Sequence, residues 1–176
     1  MIIYRDLTTD NKDEVLSDAY KIIDVGDGLW EVDCKMVQVG GENFQLEGAN
    51  ASAEGEDADD GGETATERVL DIVRDFRLNS IEAKPSKKMY MSEIKKYMKK
   101  VNEALKAKGE SDDKIKEFQT GAQAAVKKIL ANYDNYDMYV GESMEEGQMY
   151  ILVDFREDGV TPYATVWKHG LEEYKV

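Results

Sequence analysis

Cysteine, histidine and proline are scarce in this chain of 176 residues, which carries one Cys, one His and two Pro. A lone cysteine, Cys34, excludes an internal disulfide and any multi-cysteine zinc site. It stands among apolar neighbours in a strand-like segment and reads as a small core residue. Nucleophilic catalysis needs a nucleophile beside an oriented base, and His169 is the only imidazole on offer. No GxSxG, HExxH or phosphate loop accompanies it. Carboxylate pairs abound, but mainly in low-complexity sequence where no pKa would be held in a useful range. Enzymatic chemistry and a required cofactor are therefore not expected. Long apolar runs are missing as well, and MIIYRDL at the start lacks the apolar core of a signal peptide. No membrane span is expected, and the cytoplasm is the expected location. Basic charge is the last shortage: 23 Lys and Arg face 37 Asp and Glu, a net of −14, which disfavours a nucleic-acid partner.

What is present begins with an acidic tract. Residues Gly40 to Glu67 hold nine Asp or Glu and no Lys, Arg or His. That composition buries too little apolar surface to offset the entropy of ordering, so residues 40–66 are expected to form a long disordered acidic loop. Asn50-Ala51-Ser52 matches a glycosylation sequon, which a cytosolic chain would not use. Glu54, Glu56, Asp57, Asp59, Asp60 and Glu63 supply many oxygens for a hard cation. An EF-hand starting at Asp57 places Gly61 at its fifth position and Arg68 where its bidentate Glu belongs, so that motif is excluded. A diffuse, weak Ca²⁺ site remains, beside the plain alternative of a solvated loop.

The rest divides into strands and two helices. Met1 to Leu7 reads as a short apolar strand, with Ile2, Ile3 and Tyr4 suited to a pleated surface, and the polar link after it has room for one helical turn around Val15 and Leu16. Tyr20 to Val39 reads as one β-hairpin turning at Gly26-Asp27-Gly28, with Trp30, Val32, Cys34 and Met36 on one face. The segment ERVLDIVRDFRLNSIEA fits either period; its β-branched and aromatic content favours strand. Ser86 is an N-cap signal for a helix with Tyr90, Ile94, Tyr97, Met98, Val101 and Leu105 on its apolar face, stopping at Gly109. Ser111-Asp112-Asp113 opens a second helix with Ile115, Phe118, Ala122, Val126 and Ile129 inward. The short link between them makes an antiparallel helical hairpin over 85–132. Strand patterns return beyond Asn132, with a hairpin turn at Asp158-Gly159. The expected organisation is a single α+β domain over 1–176. Its β core comprises 1–39 and 67–84 together with 133–176.

Charge along the chain is uneven. From Lys87 to Leu130 there are 12 Lys against six acids, a local +6 that leaves −20 for the remainder. At about 100° per residue, Lys88, Lys95, Lys99 and Lys106 share one stripe of the first long helix, roughly 120° from its apolar centre. Such a stripe is either a solvated face or a dock for an acidic partner.

Five stretches then resemble one family along essentially the whole chain: MIIYRDL, EGANASAEG, VLDIVRDFRL, ILANYDNYDMYVGES and VDFREDGVTPYATVWKHGLEE. All are similar to translationally controlled tumour protein. The resemblance implies a β-rich, tent-like core with a projecting helical hairpin, and places VLDIVRDF in the sheet. It implies a cytoplasmic protein of growth regulation that binds calcium and associates with tubulin and microtubules, through a region corresponding broadly to the hairpin. It also implies contact with a Ras-like small GTPase, exchange-like or chaperone-like. That contact rests on a likeness to a Rab chaperone whose zinc site needs paired cysteines absent here. The acidic residue assigned to it matches Glu14, just after an insertion. Many animal relatives end in a cysteine linked to dimers, whereas this chain ends Glu173-Tyr174-Lys175-Val176.

Overall fold

The computed structural model describes residues 1–39 and 67–176. The acidic-loop expectation for 40–66, with its six candidate calcium ligands, falls outside the described residues.

The fold is α+β, built from antiparallel strands and one helical pair. In chain order come β1 (Ile2–Asp6), β2 (Glu14–Ser17), β3 (Ile22–Gly26), β4 (Leu29–Asp33), β5 (Met36–Val39) and β6 (Glu67–Leu70). A short helix α1 (Asp71–Phe76), β7 (Asn79–Ser80) and the long helices α2 (Lys87–Lys108) and α3 (Asp112–Ala131) follow. The chain closes with β8 (Asp137–Val140), β9 (Ile151–Phe155), β10 (Pro162–Trp167) and β11 (Leu171–Lys175). They form a three-stranded sheet ordered β11-β1-β2, a six-stranded sheet ordered β3-β4-β10-β9-β8-β7, and a β5-β6 ribbon. First and last strands thus meet, Ile2 opposite Lys175 and Asp6 opposite Leu171.

The helical hairpin forms where the caps predict it. Ser86 Oγ accepts the Met89 amide at 3.2 Å and Ser111 Oγ accepts that of Lys114 at 3.3 Å. Gly109, at φ 85°, ends α2 in a left-handed cap that few other residues adopt without strain. The apolar faces, Tyr90, Ile94, Tyr97, Val101 and Leu105 with Ile115, Phe118, Ala122, Val126 and Ile129, are buried. They meet the six-stranded sheet through aromatic rings, Trp167 lying 6.1 Å from Tyr97 and 6.4 Å from Phe118. Each fully buried large side chain contributes about 1.5–3 kcal/mol, which holds the hairpin on the sheet.

Three local expectations are corrected. Val15 and Leu16 lie in β2, because β2 pairs with β1, Leu16 opposite Tyr4 and Glu14 opposite Arg5, while the side chains of Val15 and Leu16 enter the core. VLDIVRDF is not all strand: Glu67–Leu70 pairs with β5, then Asp71–Phe76 turns helical. Asp71 is the reason. Its amide donates to the Lys35 carbonyl at 2.8 Å, and its buried carboxylate accepts the amides of Ile72 and Lys35 at 2.9 and 3.1 Å. The Tyr20–Val39 hairpin ends early for the same reason. The chain leaves the large sheet at Cys34 and re-pairs as β5, so Met36 does not share the burial of Cys34.

Candidate functional site

Two surfaces carry the residues singled out from sequence, and they are built differently. The first is a cleft of about 670 Å³ beside β2, bordered by Lys12, Glu14, Asp75, Phe76, Arg77, Glu142 and Ser143. Its frame is a set of carboxylates joining the β1–β2 turn to the loop between β8 and β9. Buried Asp6 accepts the Thr8 amide at 2.9 Å, the Thr8 hydroxyl at 2.6 Å and the Met149 amide at 3.1 Å. Burial raises its pKa, and the donated hydrogen bonds oppose that rise. Buried Asp13 accepts the Ser143 amide and hydroxyl at 3.0 and 2.6 Å and the Gln148 side chain at 3.3 Å. Glu145 returns the connection, accepting the amides of Asp10 and Asn11. The Asp10 amide is the main cause of its lowered pKa. Gly141 is forced here, since a Cβ would stand 2.6 Å from the Asp13 carboxylate.

Glu14 projects from this frame. It is exposed while Val15, Leu16 and Ser17 after it are buried. Opposite it, Arg77 sits at φ 55° and reaches Glu142 at 3.3 Å with its side chain 80% exposed. Lys12, at φ 53°, is also left-handed. A non-glycine residue pays for that conformation with about 1–2 kcal/mol, so two of the cleft's cations are held by local strain. Beside the cleft Tyr20 donates to Asp75, and burial and then that hydrogen bond raise its phenol pKa. The recess offers fixed charges of both signs around half-buried Phe76. Chemically it is equipped to receive a partner's polar loop.

The second surface is the outer face of α2, with eight Lys and two Glu. Lys88, Lys95, Lys99 and Lys106 are all exposed, and none makes an ion pair among the described residues. Neighbouring lysines are engaged: Lys96 with Glu93 at 3.7 Å, and Lys100 with the Glu146 carbonyl at 2.9 Å. The stripe and Glu14 are therefore on separate surfaces. Cys34 is buried, its thiol pushed up to about 12 by burial and then by Asp71, which leaves it protonated and unreactive. Among the described residues no cluster of three or more His, Cys, Asp or Glu is placed to hold a metal. Nor is any of their helices long and apolar enough to cross a membrane.

Sequence reading missed most of the cleft. Asp13, Ser143 and Gln148 look like ordinary loop residues in the chain, because 130 or more positions separate the partners. Arg77 carried no signal either; its left-handed backbone follows from α1, which was read as strand.

The structure is a β-rich α+β scaffold with a docked helical hairpin and two charged, open surfaces. The comparisons supply the family. The family model described as translationally controlled tumour protein matches residues 1–172. A translationally-controlled tumor protein homolog from Aspergillus oryzae is 56% identical, with both chains covered in full. The Saccharomyces cerevisiae homolog is 41% identical, again over both full lengths. Among solved structures, the translationally controlled tumor-associated protein p23fyp from Schizosaccharomyces pombe superposes with a TM-score of 0.77. It is 41% identical, and the match covers both chains completely. The Caenorhabditis elegans protein gives 0.69 at 26% identity, covering 100% of this chain and 99% of that one. This chain belongs to the translationally controlled tumour protein family.

Proposed function

We propose that this protein is a non-enzymatic, cytoplasmic interaction protein of growth regulation that docks acidic protein surfaces, tubulin and microtubules foremost, through the outer face of α2. The observation that carries this reading is the row of four exposed lysines without acidic partners among the described residues. On a chain of net charge −14 they form a local basic field, which steers an acidic partner to the hairpin first. Replacing Lys88, Lys95, Lys99 and Lys106 by Gln preserves helix propensity and leaves Ile94, Val101 and Leu105 in place. Microtubule co-sedimentation should fall strongly in that variant, and the parent's binding should fade as salt shortens the Debye length from about 10 Å at 0.1 M to about 3 Å at 1 M. Undiminished pelleting at low salt would reduce the stripe to a solvated face.

Calcium binding belongs to the same proposal in a weak form. Glu54, Glu56, Asp57, Asp59, Asp60 and Glu63 would act as diffuse ligands, with a dissociation constant on the order of 10⁻⁴ M or weaker. One calorimetric site at micromolar affinity would instead require a preformed cage.

A second reading has its own observation: Glu14 stands exposed at the rim of the cleft of about 670 Å³, on a braced frame. There the protein would regulate a Ras-like small GTPase, as an exchange-like or chaperone-like factor. Nucleotide release from candidate GTPases at physiological Mg²⁺ tests it. Acceleration by the parent that is lost in Glu14→Ala supports this reading, and no acceleration removes it.

A further inference from the structure

We propose that β11 is a self-association edge, pairing antiparallel with β11 of a second copy so that Tyr174 faces its own counterpart. The inference is independent of the α2 and Glu14 surfaces and starts from how the sheets end. A sheet edge presents unpaired backbone groups and is normally shortened, bulged or covered. Here β7 has only two residues, β3 is bulged between Asp24 and Gly26, and β2 has α1 packed beside it. By contrast β11 pairs with β1 over five consecutive residues without a register shift, and has no strand on its other side among the described residues. Its last residues are exposed, Tyr174 at 42%.

The hydrogen-bond phase decides which groups are free. Val176 donates to the Met1 carbonyl at 3.1 Å and Leu7 donates to that of Gly170 at 2.9 Å. Residues 170, 172, 174 and 176 therefore face β1, while 171, 173 and 175 face outward. The Leu171 amide is already used, donating to the Lys168 carbonyl. That leaves the amides of Glu173 and Lys175.

Charge then selects the register. Centring the pair on residue 172, 173 or 175 sets Glu172, Glu173 or Lys175 against its own copy, and like charges directly opposite are destabilising. Centring it on Tyr174 places Glu173 opposite Lys175 of the second copy, and Lys175 opposite its Glu173. Both pairs then exchange backbone hydrogen bonds through the two free amides. The Tyr174 rings fall at the close, non-hydrogen-bonded position, each with the Arg5 guanidinium of its own chain 4.2 Å from the ring centre. The product is a continuous sheet ordered β2-β1-β11-β11-β1-β2. So short a strand contact lies well below the roughly 800 Å² per partner of a standard interface, so the dimer is weak and reversible.

The test uses the full chain from micromolar to millimolar concentration. Sedimentation equilibrium should show the average mass rising toward a dimer. Amide resonances of Glu173 and Lys175 should shift and gain exchange protection with concentration, while those of Glu172 and Tyr174, bonded to β1 throughout, change little. Glu173→Lys and Lys175→Glu should each weaken association up to about tenfold, since each sets like charges opposite. The double swap should recover it. Glu173→Pro removes an outward amide only, which an edge strand tolerates, and should abolish association with the circular dichroism unchanged. A monomeric mass at millimolar concentration overturns the proposal, as does a double swap without recovery. So does an edge perturbed only when a different protein is added, which would make β11 a partner dock instead.

Discussion

The cleft at Glu14 and the lysine face of α2 are built by opposite means. In the cleft, buried Asp6 and Asp13 and part-exposed Glu145 spend their acceptor capacity on the protein's own amides and hydroxyls, so the backbone that carries the rim is braced before any partner arrives. On α2 the four lysines of the stripe hang from a stable helix and make no ion pair among the described residues, unlike Lys96, which is paired with Glu93. Fixed charges give geometric selectivity, and a mobile row gives attraction governed by salt. One molecule can therefore carry a selective contact and a permissive one, each open to mutation alone.

The two regions approach each other at Gly170, beside Tyr97 of α2 and Met149 of the cleft's frame, and crowding it should have the largest effect. Gly170 precedes β11 and lies under α2, where a Cβ would stand 1.9 Å from the Tyr97 hydroxyl oxygen. Tyr97 is buried and its hydroxyl has no hydrogen-bond partner among the described residues. Gly170→Ala should therefore destabilise by about 3 kcal/mol, at the upper end for overpacking, and move the urea midpoint accordingly. Tyr97→Phe removes the offending oxygen and should restore part of the loss in the double variant. Equal destabilisation of the single and double variants would place the strain elsewhere.

Next in size is a change confined to the cleft. Asp13→Ala leaves the Ser143 amide and hydroxyl and the Gln148 side chain without their acceptor, and should cost on the order of 2–3 kcal/mol. Hydrogen exchange should rise in 141–149 and in the β1–β2 turn while α2 keeps its protection. The four-lysine variant gives the mirror image, with stability within about 0.5 kcal/mol of the parent and binding changed. If Asp13→Ala loosened α2 as much as the cleft, the two regions would be one cooperative unit.

How far sequence reading reached follows the same division. The hairpin was legible because its signals are local. Ser86, Gly109 and Ser111 mark its ends, and one period of apolar residues marks its inner face. The stripe was legible by the same spacing. Asp71 defeated the reading of ERVLDIVRDF, because the bonds that turn the chain helical run to Lys35, 36 positions away. The cleft was hidden for the same reason, since Asp13 acquires its meaning only when the β8–β9 loop is beside it. The strand β11 went unassigned because LEEYK is too short and too charged to signal a strand until β1 is in place to pair with it.

The smallest predicted effect concerns the seam between the hairpin and the sheet. His169 is buried in the turn between β10 and β11, its ring 5.6 Å from Phe118 of α3. Its Nδ1 has no hydrogen-bond partner among the described residues, and Nε2 stands 3.7 Å from the Glu117 carboxylate. Burial lowers its pKa; Glu117 opposes the shift, and Lys168 and Lys114 add to it. In the unfolded chain the group titrates near its ordinary value of about 6.5. As pH falls through that value the unfolded state takes up the proton first, so stability is intact above about pH 6.5 and declines below it. Carboxylates with lowered pKa, Glu145 and Asp24 among them, act only at lower pH, near and below their ordinary values of about 4. The parent's Tm should thus match that of His169→Gln, up to a constant offset, from pH 8 to about 6.5 and fall relative to it toward pH 5, a difference from which the raised carboxylate of Asp6, common to both proteins, cancels. Parallel curves for the two proteins would mean that the seam does not sense the proton, and that α3 is held there by packing alone.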